Sequence, residues 1–125
     1  MTTTLRTLRL EYSLPDASLR GNSRAHYMVK AKAAKRMRED AAWLGLCEGI
    51  DHVYAKAKIT YHFYHWRKID LDNLAGGGMK AFQDGLQDAG TIPNDDPDHV
   101  VPGEHTFTKC VKGESRVEIV VEEIE

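Results

Sequence analysis

The residues from Val53 to Trp66 alternate between apolar and polar side chains, and this alternation constrains the fold more than any other feature of the chain. Successive side chains of a β-strand point to opposite faces, so a period of two predicts a strand with one buried face. A break near Ala55–Lys58 leaves open a division of the segment into two strands. The residues predicted to face the core are Val53, Ala55, Ala57, Ile59, Tyr61 and Phe63.

Helical and strand patterns flank this segment on both sides. The first predicted helix is capped by Ser23, and its apolar stripe is Tyr27, Ala31, Ala34, Met37 or Ala41, and Leu44. The second is ended by Gly90, and its stripe is Leu74, Gly78, Phe82, Leu86 and Ala89. The last predicted strand is apolar on both faces near its middle. The predicted order is β-α-β-α-β-β: residues 5–12, 24–47, 53–66, 73–88, and two strands joined as a hairpin around residues 112–114.

The composition of the 125-residue chain predicts one folded domain. With 42% hydrophobic and 29% charged residues, the chain has the balance of a globular protein and not of a disordered one. No apolar run reaches the roughly 18 residues of a membrane-spanning helix, and the first residues lack a hydrophobic signal core. We therefore expect a cytoplasmic α+β domain over residues 1–125, in which Cys47 and Cys110 stay reduced.

Two carboxylates, Asp70 and Asp72, follow the predicted strand directly. If the strand continues through them, both side chains point to one face, with Cα atoms roughly 6.5–7 Å apart, and they can converge on one cation. On a helix the same spacing would turn them about 200° apart. Mg²⁺ prefers oxygen ligands and usually takes one or two protein carboxylates. The alternative is that Asp72 or Asn73 only caps the helix that follows.

A second acidic pair, Asp95 and Asp96, follows the second predicted helix. That helix would fold the pair back towards Asp70 and Asp72, and three carboxylates holding two metal ions about 3.5–4 Å apart suit phosphodiester hydrolysis. Asp-Asp-Pro is also an ordinary turn sequence. A calcium-binding EF-hand loop starting at Asp70 is excluded, because it needs glycine at the sixth position, where the chain has Ala75.

Positive charge is concentrated in one part of a chain whose net charge is only −2. Such polarity can place a basic surface beside an acidic site, although a solvated helix face has the same appearance in sequence. Residues 84–104 carry acids and no lysine or arginine. The segment 20–38 has no acid and seven basic residues: Arg20, Arg24, Lys30, Lys32, Lys35, Arg36 and Arg38.

The acids belong to a longer pattern of short motifs. In order, these motifs are Asp70-Leu71-Asp72-Asn73-Leu74, Lys80, Asp84-Gly85-Leu86, Ala89-Gly90 and Asp95-Asp96. The pattern resembles the hallmark of the RusA-type Holliday junction resolvases, small endonucleases often carried by phages and prophages. The upstream GNSRAHYMVKAKAAKRMREDAAWL is similar to that family's asparagine-containing loop and basic helix, and KGESRVEIVV resembles its closing strand. The resemblance covers most of the chain.

The resemblance implies a magnesium-dependent endonuclease that resolves four-way DNA junctions by paired phosphodiester hydrolysis, in recombination and repair. It implies Asp70 and Asp72 as ligands of Mg²⁺, for which Mn²⁺ can substitute, and no organic cofactor. The third acid is Asp95 or Asp96. Counting forward from Gly90 favours Asp95, whereas counting back from Val100 favours Asp96, so the choice stays open. Lys80 matches the family's catalytic lysine.

The resemblance also implies partners. A four-way junction offers many phosphates, so the basic segment becomes a DNA-binding surface, and a two-fold homodimer would match the symmetry of the junction. No membrane partner is expected. The cations predicted to bind DNA are Arg20, Arg24, Lys30, Lys32, Lys35 and Arg36 in the basic segment, with Arg67 and Lys68 before the first acid.

Three consecutive glycines, residues 76–78, interrupt the second predicted helix. Each interior glycine costs about 0.8–1 kcal/mol relative to alanine, so we expect bare backbone to be needed there, for DNA or a neighbouring subunit. Two other functions remain open. One is a branched-DNA binding protein of the same fold that does not cut, with the acids serving as caps and turns; the other is a nuclease for other flaps or duplexes.

Overall fold

The computed structural model describes residues 5–20, 23–49 and 52–125. They form an α+β domain with two main helices and a five-stranded mixed sheet, which confirms the predicted class and adds one strand, β3. No helix in these ranges is both long enough and apolar enough to cross a bilayer. The elements are β1 (Thr7–Tyr12), α1 (Tyr27–Glu48), β2 (Ala57–His65), α2 (Lys80–Asp88), β3 (Val100–Pro102), β4 (Thr106–Lys109) and β5 (Arg116–Glu123), with a 3₁₀ turn at Ala17–Leu19 and a π-helical turn at Asn73–Gly77.

β5 lies inside the sheet, antiparallel to β1 on one side and to β2 on the other. β3 and β4 both pair parallel with the opposite edge of β2, one after the other. The predicted hairpin of the last two strands is therefore wrong, because β2 separates β4 from β5. The connection between them passes around the end of β2, where the Cys110 N–H donates to the His65 carbonyl at 2.9 Å and Ser115 Oγ lies 2.6 Å from His65 Nδ1.

The predicted alternation is confirmed within β2 and fails before it. Val53 and Ala55 are exposed, because the chain bends at residues 55–56 and the strand begins only at Ala57. Tyr54, predicted to point away from the core, is buried instead. The side chains of β2 that do face the core, all essentially inaccessible, are Ala57, Ile59, Tyr61 and Phe63.

β5 is buried on both faces near its middle, as predicted. Ile119 and Val121 belong to the core, and Val120 on the other face is also buried beside Thr60 of β2. The segment between β3 and β4 covers Thr60 closely, because a Cβ added to Gly103 would lie 2.9 Å from the Thr60 Cβ. The outer face of the sheet is therefore sealed at its centre.

α1 begins later than predicted and buries only the second half of the predicted stripe. Its cap is His26, whose Nδ1 accepts from the Met28 N–H at 3.2 Å, whereas Ser23 Oγ accepts from the Ala25 N–H in the turn before it. Tyr27, predicted to be buried, is 73% exposed, and Ala31 is exposed as well. Met37 and Ala41 are buried as predicted, because only the second half of the helix meets α2. Its buried residues are Met37, Ala41 and Gly45.

The two helices approach each other backbone to backbone at Gly85. A Cβ at this position would overlap the Arg38 carbonyl oxygen and lie 2.6 Å from the Ala41 Cβ. Beside this contact the Arg38 guanidinium holds both oxygens of Asp88, at 2.5 and 2.8 Å. Arg38 of the basic segment therefore joins the helices.

The second predicted helix is divided in two. Leu74, Phe82 and Leu86 are fully buried as predicted, and Gly90, with φ of +78°, follows its end. Between Leu74 and Phe82 the chain passes through the π-helical turn and Gly78 before α2 starts. A Cβ on Gly78 would lie 2.9 Å from the Pro15 ring, so this glycine is explained by packing within the chain.

Candidate functional site

Lys80 and Asp95 meet, although they lie far apart in the motif pattern. Lys80 begins α2, and its Nζ lies 2.6 Å from Asp95 Oδ2 and 3.1 Å from Asp84 Oδ1. The Asp95 side chain is only 10% exposed, whereas that of Lys80 remains largely open to solvent. Hydrogen bonds to Asp95 and Asp84 raise the pKa of Lys80 above its ordinary value. The lysine is therefore a protonated cation at neutral pH.

Asp95 is held from several sides by residues that the motif does not include. Gln83 Nε2 donates to Asp95 Oδ1 at 2.8 Å, and the Asp95 N–H donates to Gln87 Oε1 at 2.9 Å. Behind Gln83 the hydroxyl of Tyr61 donates to Gln83 Oε1. Burial, and secondarily the charge of Asp95, raises the pKa of Tyr61 well above its usual value, so this hydroxyl stays neutral.

These supporting residues were missed from sequence, although a signal was present. Lys80, Gln83 and Gln87 are spaced by three and four along a predicted helix, which places them on one face. Their polar side chains line the face that receives the loop carrying Asp95.

Asp96 faces a different set of groups. Its Oδ1 accepts from the backbone N–H groups of Asp98 and His99, at 3.0 and 3.1 Å, and from His99 Nδ1 at 2.7 Å. Asn94 Nδ2 donates to Oδ2 at 2.8 Å. The hydrogen bond from His99 is the main cause that lowers the pKa of Asp96. Asp96 thus organises the turn that leads into β3.

Asp70 and Asp72 do not lie on a strand, so the predicted side-by-side placement is wrong. β2 ends at His65, and the chain is already helical at residues 71–72, with Asp72 at φ −64° and ψ −34°. Asp70 Oδ1 accepts from the Asp72 N–H at 3.0 Å, and its carbonyl accepts from the Asn73 N–H at 3.1 Å. A short carboxylate that bonds backbone two residues on favours a helix start over a strand. Both aspartates are exposed.

The carboxylate oxygens of Asp70 and Asp72 are suitable ligands for a magnesium ion. Asp70 and Asp72 present exposed carboxylates, the ligand type that Mg²⁺ prefers. In the described part of the chain, however, no three His, Cys, Asp or Glu side chains are grouped so as to hold a metal ion. The cation beside Asp95 is the ammonium of Lys80.

A cleft of about 290 Å³ opens beside Asp95 and Gln83. On its far side His105 fills the gap between β3 and β4, where its Nδ1 accepts from the Tyr61 backbone N–H at 3.0 Å. Burial, with a smaller effect of His62, lowers the pKa of His105, so the ring is neutral near pH 7. The other lining residues are Ile59, Asp96, Pro97, Val100, Pro102.

Three of the four predicted DNA-binding residues of α1 form one exposed group, here called the helix surface: Lys32, Lys35 and Arg36. Lys32 and Arg36 line a groove of about 620 Å³ between α1 and the segment that follows β1. Lys35 lies 3.9 Å from Glu39, a loose surface pair. In the first turn of α1, Lys30 Nζ donates to the Ser23 carbonyl at 3.0 Å, and Arg24, before the helix, is exposed.

A second basic group lies at the end of β2 and is called the strand-end surface: Arg20, Trp66, Arg67 and Lys112. The pKa of His65 is lowered by burial first and then by the charges of Arg20 and Arg67, which places both cations near the strand's last residue. The Arg67 guanidinium and Lys112 Nζ each lie 5.0 Å from the centre of the Trp66 ring. Lys68 is exposed beside Arg67.

No protein-family model matches the chain, and no curated protein matches its sequence. The family suggested by the motifs therefore stands as a proposal. Of the residues on which that resemblance depends, Gly21 and Asn22 lie outside the described residues. Lys80 and Asp95 are brought into contact, while Asp70 and Asp72 share the helical turn before α2.

Proposed function

We propose that this chain is a magnesium-dependent, structure-selective endodeoxyribonuclease of the RusA type, which resolves four-way DNA junctions in the cytoplasm. The observation that carries the proposal is the 2.6 Å contact between Lys80 and Asp95. The motif pairs a lysine with a distant acid, and a salt bridge alone would be weak support. Here the acid is largely buried, fixed by Gln83 and placed beside a cleft, as expected of a group that must keep one orientation.

In this proposal Asp70 and Asp72 would hold the metal ion, and Asp95, which is paired with Lys80 in this structure, is the third acid that the resemblance implies. When bound, the ion supplies Lewis-acid stabilisation of the charge that develops on the phosphodiester oxygens. Lys80 provides a fixed positive charge for a non-bridging phosphate oxygen in the transition state. Gln83 keeps the Asp95 carboxylate oriented while the substrate binds.

The helix surface and the strand-end surface are the proposed contacts to DNA phosphates. Their cations come from several separate segments of the sequence and make a chain of net charge −2 locally basic. We expect DNA affinity to fall steeply with salt, because each neutralised phosphate releases a condensed counterion. A homodimer would present two such sites to the two-fold symmetric junction and so give paired nicks.

The test is cleavage of a synthetic four-way junction, with a linear duplex of the same sequence as control. Wild type and Asp72→Asn are compared in Mg²⁺ and in EDTA, and binding is measured separately by gel shift. The proposal predicts paired nicks only on the junction and only in Mg²⁺, lost in Asp72→Asn while binding persists. Equal cutting of the duplex would instead indicate a nuclease for other DNA structures.

A branched-DNA binding protein that does not cut is the second candidate. It is favoured by the structural tasks of two of the acids, since Asp70 starts a helix and Asp96 ties a turn. In this case the wild type binds the junction in Mg²⁺ and leaves it intact. Asp72→Asn then behaves like wild type in every respect.

A further inference from the structure

The strand-end surface carries an exposed aromatic ring between cations. Trp66 is 38% exposed, directly after the last residue of β2, and Arg67 and Lys112 each lie 5.0 Å from its ring centre. Lys112 belongs to the connection that passes around the end of β2. Two segments distant in sequence therefore meet at this tryptophan.

The cations around Trp66 are not neutralised by acids within the described ranges. The ion pairs formed by the described residues involve other side chains, and neither Arg67 nor Lys112 takes part in one. Contacts between a cation and an exposed ring are weak, so each cation can move to an anion without much loss. The site thus combines a large π-face with positive charge that is free to bind phosphate.

We propose that Trp66 is a stacking platform for an unpaired DNA base, with Arg67 and Lys112 contacting the phosphates on either side of that base. This inference rests on the proposed function for its ligand, branched DNA. Single-stranded nucleic acid is bound in this way by aromatic side chains set in a positively charged groove, since every base has a π-face. Trp66 precedes Asp70 by four residues, which would put a base unstacked at the branch point close to the acids.

The chain contains a matched control for this role. Its second tryptophan, Trp43, is 67% exposed on α1, outside the strand-end surface. Trp43→Phe leaves Trp66 as the sole tryptophan, and Trp66→Phe leaves Trp43, so the fluorescence of each ring is measured separately. Both single-tryptophan proteins are titrated with oligo(dT) and with a four-way junction that has unpaired bases at its centre.

We expect both ligands to quench Trp66 and to leave Trp43 unchanged. Trp66→Leu keeps an apolar side chain and removes the stacking face, so it should bind oligo(dT) between about 5-fold and about 150-fold more weakly than wild type. The affinity of Trp66→Phe for oligo(dT) should fall between those of wild type and Trp66→Leu. Trp43→Leu should match wild type for oligo(dT), and all variants should bind linear duplex within about 2-fold, because duplex bases stay stacked.

The proposal is overturned if Trp66 fluorescence does not respond to oligo(dT), or if Trp66→Leu binds it as tightly as wild type. It is also overturned if Trp43→Leu loses as much affinity as Trp66→Leu. The titration of Trp43→Phe needs no change at Trp66, so a misfolded Trp66 variant cannot hide the answer. If oligo(dT) quenches Trp66 but the wild type cuts no junction in Mg²⁺, the platform stands and the nuclease proposal fails.

Discussion

Asp95 and Asp96 are adjacent residues of the same chemistry, and the fold gives them different surroundings. Asp95 is 10% exposed and accepts hydrogen bonds from Lys80 and Gln83, whereas Asp96 is 33% exposed and accepts from His99. Counting along the sequence left this choice open, because the direction of a side chain in a loop depends on backbone angles that no motif records. The structure shows only that the two carboxylates have different hydrogen-bond partners and different exposure.

The two neighbours should differ in their importance for cleavage. Asp95→Asn keeps the shape and removes the charge beside Lys80, so we expect junction cleavage in Mg²⁺ to slow by about 100-fold or more with binding retained. Asp96→Asn retains an oxygen that can accept from the turn, and we expect a change below about 10-fold. Single-turnover rates on a labelled junction measure both. A larger loss in Asp96→Asn would show that the wrong acid was chosen.

Gln83 should be coupled to Tyr61 in stability. Gln83→Leu leaves the buried Tyr61 hydroxyl without its acceptor, which should lower the free energy of unfolding by about 1–3 kcal/mol. In Tyr61→Phe/Gln83→Leu the hydroxyl is gone as well, so the double variant should be more stable than the sum of the single changes predicts. Urea unfolding of the four proteins gives the coupling energy. Strict additivity would mean that the hydrogen bond contributes nothing.

At the scale of elements, the sequence predicted the buried faces of strands and helices more accurately than it predicted the pairing of the strands. The alternation in β2 and the stripe of Leu74, Phe82 and Leu86 follow from the periods of strand and helix. The position of β4 could not be predicted in this way, because a turn at residues 112–114 is compatible with either a hairpin or a path around β2. The placement of Asp70 and Asp72 on a strand was wrong, because a local hydrogen bond of the Asp70 carboxylate favours the start of a helix there.

Gly85 and Gly76 should respond differently to an added methyl group. The methyl group added by Gly85→Ala would overlap Arg38 and Ala41 of α1 and force the two helices apart, and we expect a loss of about 1–3 kcal/mol in unfolding free energy. At Gly76 an added Cβ meets nothing within 4 Å, so Gly76→Ala should be neutral or stabilising by up to about 1 kcal/mol. Thermal unfolding of both variants tests this. A similar loss in both would show that the helices do not pack at Gly85.

Over the whole molecule, the lowered pKa values of carboxyl and imidazole groups point to loss of stability in acid. The pKa of Asp16, Asp88 and Glu123 are lowered by hydrogen bonds, so the folded state binds fewer protons than the unfolded chain below about pH 4. Asp16 and Asp88 are exposed and Glu123 is partly buried, and salt should weaken the effect of the two exposed groups most. The lowered pKa values of His65 and His105 reduce stability at higher pH than the carboxylates do, because histidines of the unfolded chain begin to bind protons near pH 6.5.

We therefore expect stability to decline from pH 7 to pH 5, before the carboxylates titrate. Protonation of His105 would turn its Nδ1 from an acceptor into a donor facing the Tyr61 N–H. His105→Asn keeps an acceptor and cannot be protonated, so its profile between pH 7 and pH 5 should be flatter than that of wild type. Urea midpoints measured at half-unit steps of pH compare the two. Parallel profiles would remove His105 from the acid response.

The central place of β5 in the sheet sets the order in which the domain can assemble during translation. β5 is the last of the five strands to be synthesised, yet both β1 and the inner edge of β2 pair with it. At roughly 5–20 residues per second, the ribosome takes about 5–20 s to pass from β1 to β5. During that time β1 has no partner strand, and the apolar faces of β1 and β2 are both accessible to chaperones. The nascent chain can form its helices early, but it can close its core only when the ribosome has released residues 116–123.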